Sequence, residues 1–302
     1  MHDKMLCFAS WDCQHLVGSL VKKFLKWTGF VVGGIAVVAL IGVAYLYIAS
    51  ERELDRHYEV GASAPLVLPT DPAEIAEGQR IARLAGCLHC HGENLTGRVV
   101  DDIPHLLRLV APNISVIAPQ YSDAQIATVL RKGVKPDGTS VVFMPSEMFR
   151  HLTDQDLARV IAFLRTVPAN PEGIREKTEL RILGRLILAK GDVKLGARNI
   201  ESLPPPVKND DPADPVSHGQ YLAMNLCSEC HGQNLEGFAP INAPPLVVAK
   251  GYSAEQFARL MHEGVPLGDR KLRMMSSTAK ARFSHLTDGE IAALHAYLQS
   301  RG

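Results

Sequence analysis

The longest apolar run lies near the start of the chain. Thr28 to Ala49 reads TGFVVGGIAVVALIGVAYLYIA and carries no charge. As a helix rising about 1.5 Å per residue it spans about 33 Å, enough for a hydrocarbon core of about 30 Å. Trp27 stands at one end, with Tyr45 and Tyr47 near the other, where amphipathic rings favour the membrane interface. Lys22, Lys23 and Lys26 precede the run, and mixed charges follow it (Glu51, Arg52, Glu53, Asp55, Arg56). That bias predicts a single-pass anchor with its N-terminus in the cytoplasm. A cleaved leader fits less well, because the run exceeds the roughly 7–15 apolar residues of a signal peptide and Tyr47-Ile48-Ala49 is not a small-x-small site. The expected order is therefore a cytoplasmic tail (1–27, with 1–21 read as unstructured), an anchor (28–49) and a linker (50–70).

Beyond residue 70 the pattern changes to amphipathic helices and occurs twice. Asp71-Pro72 and Asp214-Pro215 are N-cap and N1 pairs, each opening a helix that runs to a cysteine. Ser122-x-x-Gln125 and Ser253-x-x-Gln256 are capping boxes. The helices they open stop at Gly133 and Gly264, both C-cap signals. Thr153-x-x-Asp156 and Thr287-x-x-Glu290 cap a last helix in each copy. Leu157, Val160, Ile161 and Leu164 share one face of the first, and Ile291, Leu294 and Leu298 repeat it in the second. No run sustains a period of two, so a sheet is not expected. The copies fill 71–168 and 215–302. The linker between them, 169–214, is expected to hold an amphipathic helix over Ile174 to Lys190, then an extended tether through Pro204-Pro205-Pro206.

The first helix of each copy ends in the same motif. Cys87-Leu88-His89-Cys90-His91-Gly92 returns as Cys227-Ser228-Glu229-Cys230-His231-Gly232, and near-copies follow (Glu93-Asn94-Leu95-Thr96-Gly97, Gln233-Asn234-Leu235-Glu236-Gly237). C-x-x-C-H is the attachment signature of c-type haem. Two thiols add across the vinyl groups, and the following histidine lies under the iron. A four-cysteine zinc site would need its pairs roughly 15–20 residues apart, far less than the separation here. A redox-active C-x-x-C would need a βαβ context, which is lacking.

A methionine as sixth ligand suits electron transfer, since it raises the potential and closes the iron to substrate. Met144 follows Gly133 at the same distance as Met275 follows Gly264, which makes these two the candidates. Met274 is one residue out of register, Met148 has no counterpart, and Met224 and Met261 read as core. His151 and His285 are equivalent and leave open a histidine ligand or a hydrogen-bonding role near the cap. His57, His105, His218, His262 and His295 have no repeat partner and read as structural or exposed. Pro112 and Pro244 occupy matching loops, and their carbonyls are candidates to hold the second nitrogen of His91 and His231.

Composition narrows the partners. The chain has 302 residues, 46% hydrophobic and 21% charged, which marks a folded protein. Thirty-two basic and 32 acidic residues cancel, which argues against a general nucleic-acid binder. Of six cysteines, four belong to the motifs; Cys7 and Cys13 precede the anchor and are read as reduced thiols. Arg270, Lys271, Arg273, Lys280 and Arg282 gather around Met275 with Asp269 as their one acidic neighbour. They form either a solvated loop or a docking face for an acidic partner.

These residues resemble the class I cytochrome c family twice over. The matching features are the helix into C-x-x-C-H, the proline loop, the middle helix, the methionine loop and the amphipathic last helix. The resemblance implies an all-α fold: an N-terminal transmembrane helix followed by two tandem class I cytochrome c domains. It also implies that first and last helices cross at Gly78 with Phe163 and at Gly219 with Tyr297. Three departures concern loop geometry. Met275 is followed by Ser276 rather than proline. The first copy has one extra residue before Cys87 and nine more before its middle helix. The tandem looks like the membrane-anchored dihaem cytochromes that accept electrons from periplasmic dehydrogenases. It implies two covalent haems c, held by Cys87, Cys90, His91, Met144 and Pro112 and by Cys227, Cys230, His231, Met275 and Pro244. The implied protein is an electron carrier or subunit on the periplasmic side of the inner membrane, without a small-molecule substrate. Its partners would be redox proteins: a dehydrogenase, another cytochrome or a terminal oxidase. The alternatives are a dihaem peroxidase with one open haem site and a gas-binding sensor.

Overall fold

The computed structural model describes residues 11–61, 63–208, 210–269 and 272–301. The chain divides into two compact units between Arg52 and Glu53. Helix α1 (Trp11–Leu54) makes up the first. It starts well before the apolar run, so residues 11–21 are helical rather than loose. No proline interrupts this stretch, and its leucines and lysines are good helix formers. Its segment Gly18–Leu54 is long and apolar enough to cross a bilayer, with mean hydropathy 2.4 and nothing buried against protein in its most apolar window. Cys7 lies outside the described residues.

The second unit runs in chain order α2 (Pro72–Leu84), α3 (Cys87–His91), β1 (Arg98–Ile103), β2 (Leu107–Ala111), α4 (Ile114–Ile117), α5 (Asp123–Lys132), α6 (Ser146–Phe149) and α7 (Asp154–Thr166). It continues through β3 (Glu179–Leu180), α8 (Ile182–Lys190), α9 (Gly196–Glu201), α10 (Pro215–Leu226), α11 (Ser228–His231), α12 (Ala254–Glu263), α13 (Arg273–Ala281) and α14 (Asp288–Ser300). Thus α2–α7 form one helical module and α10–α14 a second. The repeated caps form in both: Asp71 and Asp214 accept from the backbone of their first turns. Ser122–Gln125 and Ser253–Gln256 close as full capping boxes, and Gly133 (φ 65°) and Gly264 (φ 68°) end those helices in the left-handed conformation that glycine permits.

First and last helices cross at glycine in each module. A Cβ on Gly78 would sit 2.0 Å from the Arg159 carbonyl oxygen, and one on Gly219 would sit 2.0 Å from that of Ala293. Those carbonyls lie one turn before Phe163 and Tyr297, so the two crossings share one geometry.

Three expectations need correction. A small sheet exists: β1 pairs antiparallel with β2 (Ile103 opposite Leu107), and β2 with β3 (Leu107 opposite Leu180). Its strands are too short, and β1 too exposed, for a period of two to register. The extra residues of the first module supply the β1–β2 hairpin. The linker helix is also shorter than expected and begins at Ile182. The segment before it is extended along β2, where Thr178 Oγ1 accepts from Val110 N and donates to Val110 O. Nor is the rest of the linker a free tether. Ala197 N donates to Ser140 Oγ (3.0 Å), Arg150 donates to the Pro204 carbonyl, and Val207 N donates to His151 Nδ1 (2.8 Å).

The modules dock reciprocally. Arg80 on α2 pairs with Glu290, the third residue of α14 (2.7 and 2.8 Å), and donates to the His285 carbonyl (3.1 Å). Tyr221 on α10 donates to Asp156, the third residue of α7 (2.6 Å), and its oxygen accepts from Thr153 N (3.3 Å). Leu84 of the first module packs within the core of the second.

Candidate haem-attachment sites

Each C-x-x-C-H motif is a single helical turn set on the end of its module's first helix. In the first module α2 stops at Leu84, and Gly86 takes φ 86° before α3 begins at Cys87. Gly86 is the left-handed hinge by which the extra residue is accommodated. The second module needs no hinge: α10 passes through Cys227 into α11. The turn after each motif is duplicated in detail. Leu95 (φ 57°) and Leu235 (φ 61°) are both left-handed and both 1% exposed. That conformation costs a non-glycine residue about 1–2 kcal/mol, which burial of the leucine side chain offsets. Gly97 N donates to the His91 carbonyl (2.8 Å), and Gly237 N to the His231 carbonyl (2.9 Å).

The two histidines are held alike. His91 Nδ1 donates to the Pro112 carbonyl (2.8 Å) and His231 Nδ1 to the Pro244 carbonyl (2.7 Å). A carbonyl only accepts, so Nδ1 carries the proton and Nε2 keeps the lone pair that a metal needs. Burial lowers both histidine pKa values, against the pull of those carbonyls, which favours the neutral, ligating form.

All four motif cysteines are free and half-buried. Burial pushes the Cys87 and Cys227 thiols up to about 12, and raises Cys90 and Cys230 as well. A thiol pair poised for redox exchange would show the opposite shift. Among the described residues, no three His, Cys, Asp or Glu side chains gather as a bare-ion site. Free paired thiols and a neutral histidine with Nε2 available fit covalent haem in both modules.

Met144 is half-buried against the core cluster that Cys87 also touches. Met275 packs likewise against the cluster touched by Cys227, whereas its neighbour Met274 is 53% exposed. Met148, Met224 and Met261 are buried core residues. His151 is buried, with Nδ1 accepting from Val207 N and Nε2 donating to Gln233 Oε1 (3.1 Å), so both its nitrogens are engaged. Among the histidines without a repeat partner, His57 bonds the Asp55 carbonyl, His218 Asp210, His262 Asp288 and His295 the Tyr252 carbonyl.

One member of the basic cluster around Met275 leaves its surface. Arg270 and Lys271 lie outside the described residues, and Arg273 and Lys280 are exposed. Arg282 is 6% exposed and faces inward. Its Nε donates to the Leu84 carbonyl (2.8 Å) just before the first motif, and its Nη1 pairs with Glu229 inside the second (2.9 Å). Sequence reasoning missed this, because only packing brings Leu84, Gly86 and Glu229 to one guanidinium.

Comparison with known proteins agrees with this geometry. The family model described as Cytochrome c matches residues 75–168 and 216–302. The chain is 25% identical to the "Fructose dehydrogenase cytochrome subunit" of Gluconobacter japonicus, over 77% of this chain and 55% of that one. It is 27% identical to the "Alcohol dehydrogenase (quinone), cytochrome c subunit" of Gluconobacter oxydans (strain 621H), over 53% of this chain and 35% of that one. The chain thus spans about half the length of the first of these relatives and about a third of the second.

Proposed function

The chain belongs to the cytochrome c family, with two covalently bound haems c and a role in electron transfer, and from that premise we propose that it relays electrons through two His/Met-ligated haems on the periplasmic face of the inner membrane. The donor would be a dehydrogenase, in keeping with the names of both relatives, and the acceptor a component of the respiratory chain. The duplicated histidine–proline-carbonyl pair at matching C-x-x-C-H turns carries the proposal.

Haem c supplies a one-electron iron couple. Cys87 with Cys90, and Cys227 with Cys230, hold it by thioether bonds. His91 and His231 present Nε2 while the Pro112 and Pro244 carbonyls fix their ring orientation. Met144 and Met275 would supply thioether ligands, which would raise the potential and keep substrate from the iron. The half-buried packing of Met275 and the exposure of Met274 support this choice in the second module. The apolar stretch of α1 crosses the membrane with Lys22, Lys23 and Lys26 on the cytoplasmic side.

Absorption and electron paramagnetic resonance spectra of the purified full chain test the ligation. Two low-spin haems with a ferric sulfur-to-iron charge-transfer band are expected. Met144→Ala and Met275→Ala should each remove about half of that band and make one haem high-spin, while Met274→Ala changes neither. A high-spin, peroxide-reactive haem in the unaltered protein would overturn the proposal in favour of a peroxidase.

A further inference from the structure

One buried charge belongs to both sites. Arg282 follows α13 in the second module, yet it reaches the backbone of the first at Leu84 and presses on Gly86. A Cβ on Gly86 would lie 3.0 Å from its Cζ, so the left-handed glycine before Cys87 makes room for the guanidinium. Its Nη1 binds Glu229, which stands between Cys227 and Cys230. Its Cζ lies 5.5 Å from the Phe283 ring centroid. Its Nη2 is buried and has no hydrogen-bond partner in the protein. A buried cation with one anionic contact and one spare donor is costly unless a further group is served.

We infer that Arg282 is a positioning residue shared by the two haems: its fixed positive charge, trimmed by Glu229, raises the reduction potential of both and holds them in one electrostatic environment. The inference rests on the dihaem reading above. Reduction adds one electron to each haem from the donor, so a nearby positive charge favours the reduced state and a nearby negative charge the oxidised one. Arg282 stands against both attachment turns: Nε bonds the Leu84 carbonyl and the guanidinium packs on Gly86 beside Cys87, while Nη1 bonds Glu229 between Cys227 and Cys230. Glu229, paired to it at 2.9 Å, places an opposing negative charge inside the second motif. A unit charge about 10 Å away, in a medium of effective dielectric about 20, shifts a one-electron equilibrium roughly tenfold. A shift common to both haems leaves the step between them unchanged and makes both easier for the donor to reduce.

The test is an optically monitored redox titration of the detergent-solubilised full-length holoprotein, comparing Arg282→Gln, Arg282→Lys and Glu229→Gln. Haem content and spin state are recorded first; a wild-type chain without two low-spin haems refutes the dihaem reading itself. With those in place, Arg282→Gln should lower the reduction equilibrium of both haems by about tenfold, or about 59 mV for a one-electron couple. Glu229→Gln should raise both, and Arg282→Lys should stay near wild type. Loosened packing would move the glutamine variants in the same direction, so parallel shifts overturn the inference. So does a shift at one haem alone. Glu229 is the more exposed partner of the pair, and glutamine keeps an acceptor for Arg282, so unchanged potentials in Glu229→Gln overturn the inference even if Arg282→Gln does not fold.

Discussion

Gly219→Ala is the sharpest probe of the second module, because the added atom has a known collision. The new Cβ would lie 2.0 Å from the Ala293 carbonyl oxygen, 2.6 Å from its carbon and 2.7 Å from Tyr297 Cβ, where ordinary contact is 3.4–4 Å. Two of the three atoms are backbone, so no rotamer change relieves the clash. Helices α10 and α14 must part by roughly 1 Å, loosening a core that includes Leu222, Leu294 and Leu298. Overpacking of this kind costs about 1–3 kcal/mol, occasionally more. Replacing a helical glycine by alanine returns about 0.5–1 kcal/mol. The net loss of about 1–2 kcal/mol corresponds to a fall in Tm of roughly 5–15 °C for a domain of this size. Thermal unfolding of the solubilised full chain, followed by circular dichroism and haem absorbance, measures it. Gly251→Ala is the control: its Cβ meets nothing within 4 Å, so stability should stay within about 0.5 kcal/mol of wild type. If Gly219→Ala unfolds together with that control, the helix crossing described above is wrong.

Acidification should weaken the contact between modules through His151. Burial lowers its pKa, partly opposed by the Gln233 bond and reinforced by Arg150. In the unfolded chain the imidazole takes up a proton at about pH 6.5, whereas the folded ring resists it because Nδ1 accepts from Val207 N. Stability is therefore full above about pH 6.5 and falls by up to about 1.4 kcal/mol per pH unit below it, until the folded value is reached. Denaturant melts between pH 7.5 and 5.5 should show the slope in wild type and a flatter profile in His151→Gln; equal slopes would remove His151 as the cause. Haem attachment divides between the motifs. Replacing Cys87 and Cys90 by alanine, or Cys227 and Cys230, should each lower covalent haem from two per chain to one by haemochrome assay. Loss of both haems from either double variant would contradict independent sites.

Local signals in the chain go a long way for this protein. The N-caps, capping boxes and glycine C-caps act within one turn, so Asp71, Ser122, Gly133, Thr287 and their counterparts could be read directly. The doubled C-x-x-C-H marked both attachment sites, and the repeat itself placed Pro112 and Pro244 where the histidine bonds are found. Weak local signals misled. The β1–β2 hairpin is too short to show a period, and the stretch before α8 is extended because Thr178 finds Val110 across the sheet. With no proline to stop it, the helix of the apolar run extends back to Trp11, through residues with no apolar run of their own.

What the sequence determined by itself is whatever its own neighbours enforce: helix ends, the long apolar helix, two haem-binding turns and their chemistry. What only the tertiary structure decided is how the two modules meet. Arg80 finds Glu290, Tyr221 finds Asp156, and Arg282 leaves an apparent surface cluster to bind Leu84 and Glu229. Those partners are far apart along the chain. A charge's neighbours in sequence say little about its partners once a buried interface, with few competing waters, makes each unmet polar group expensive.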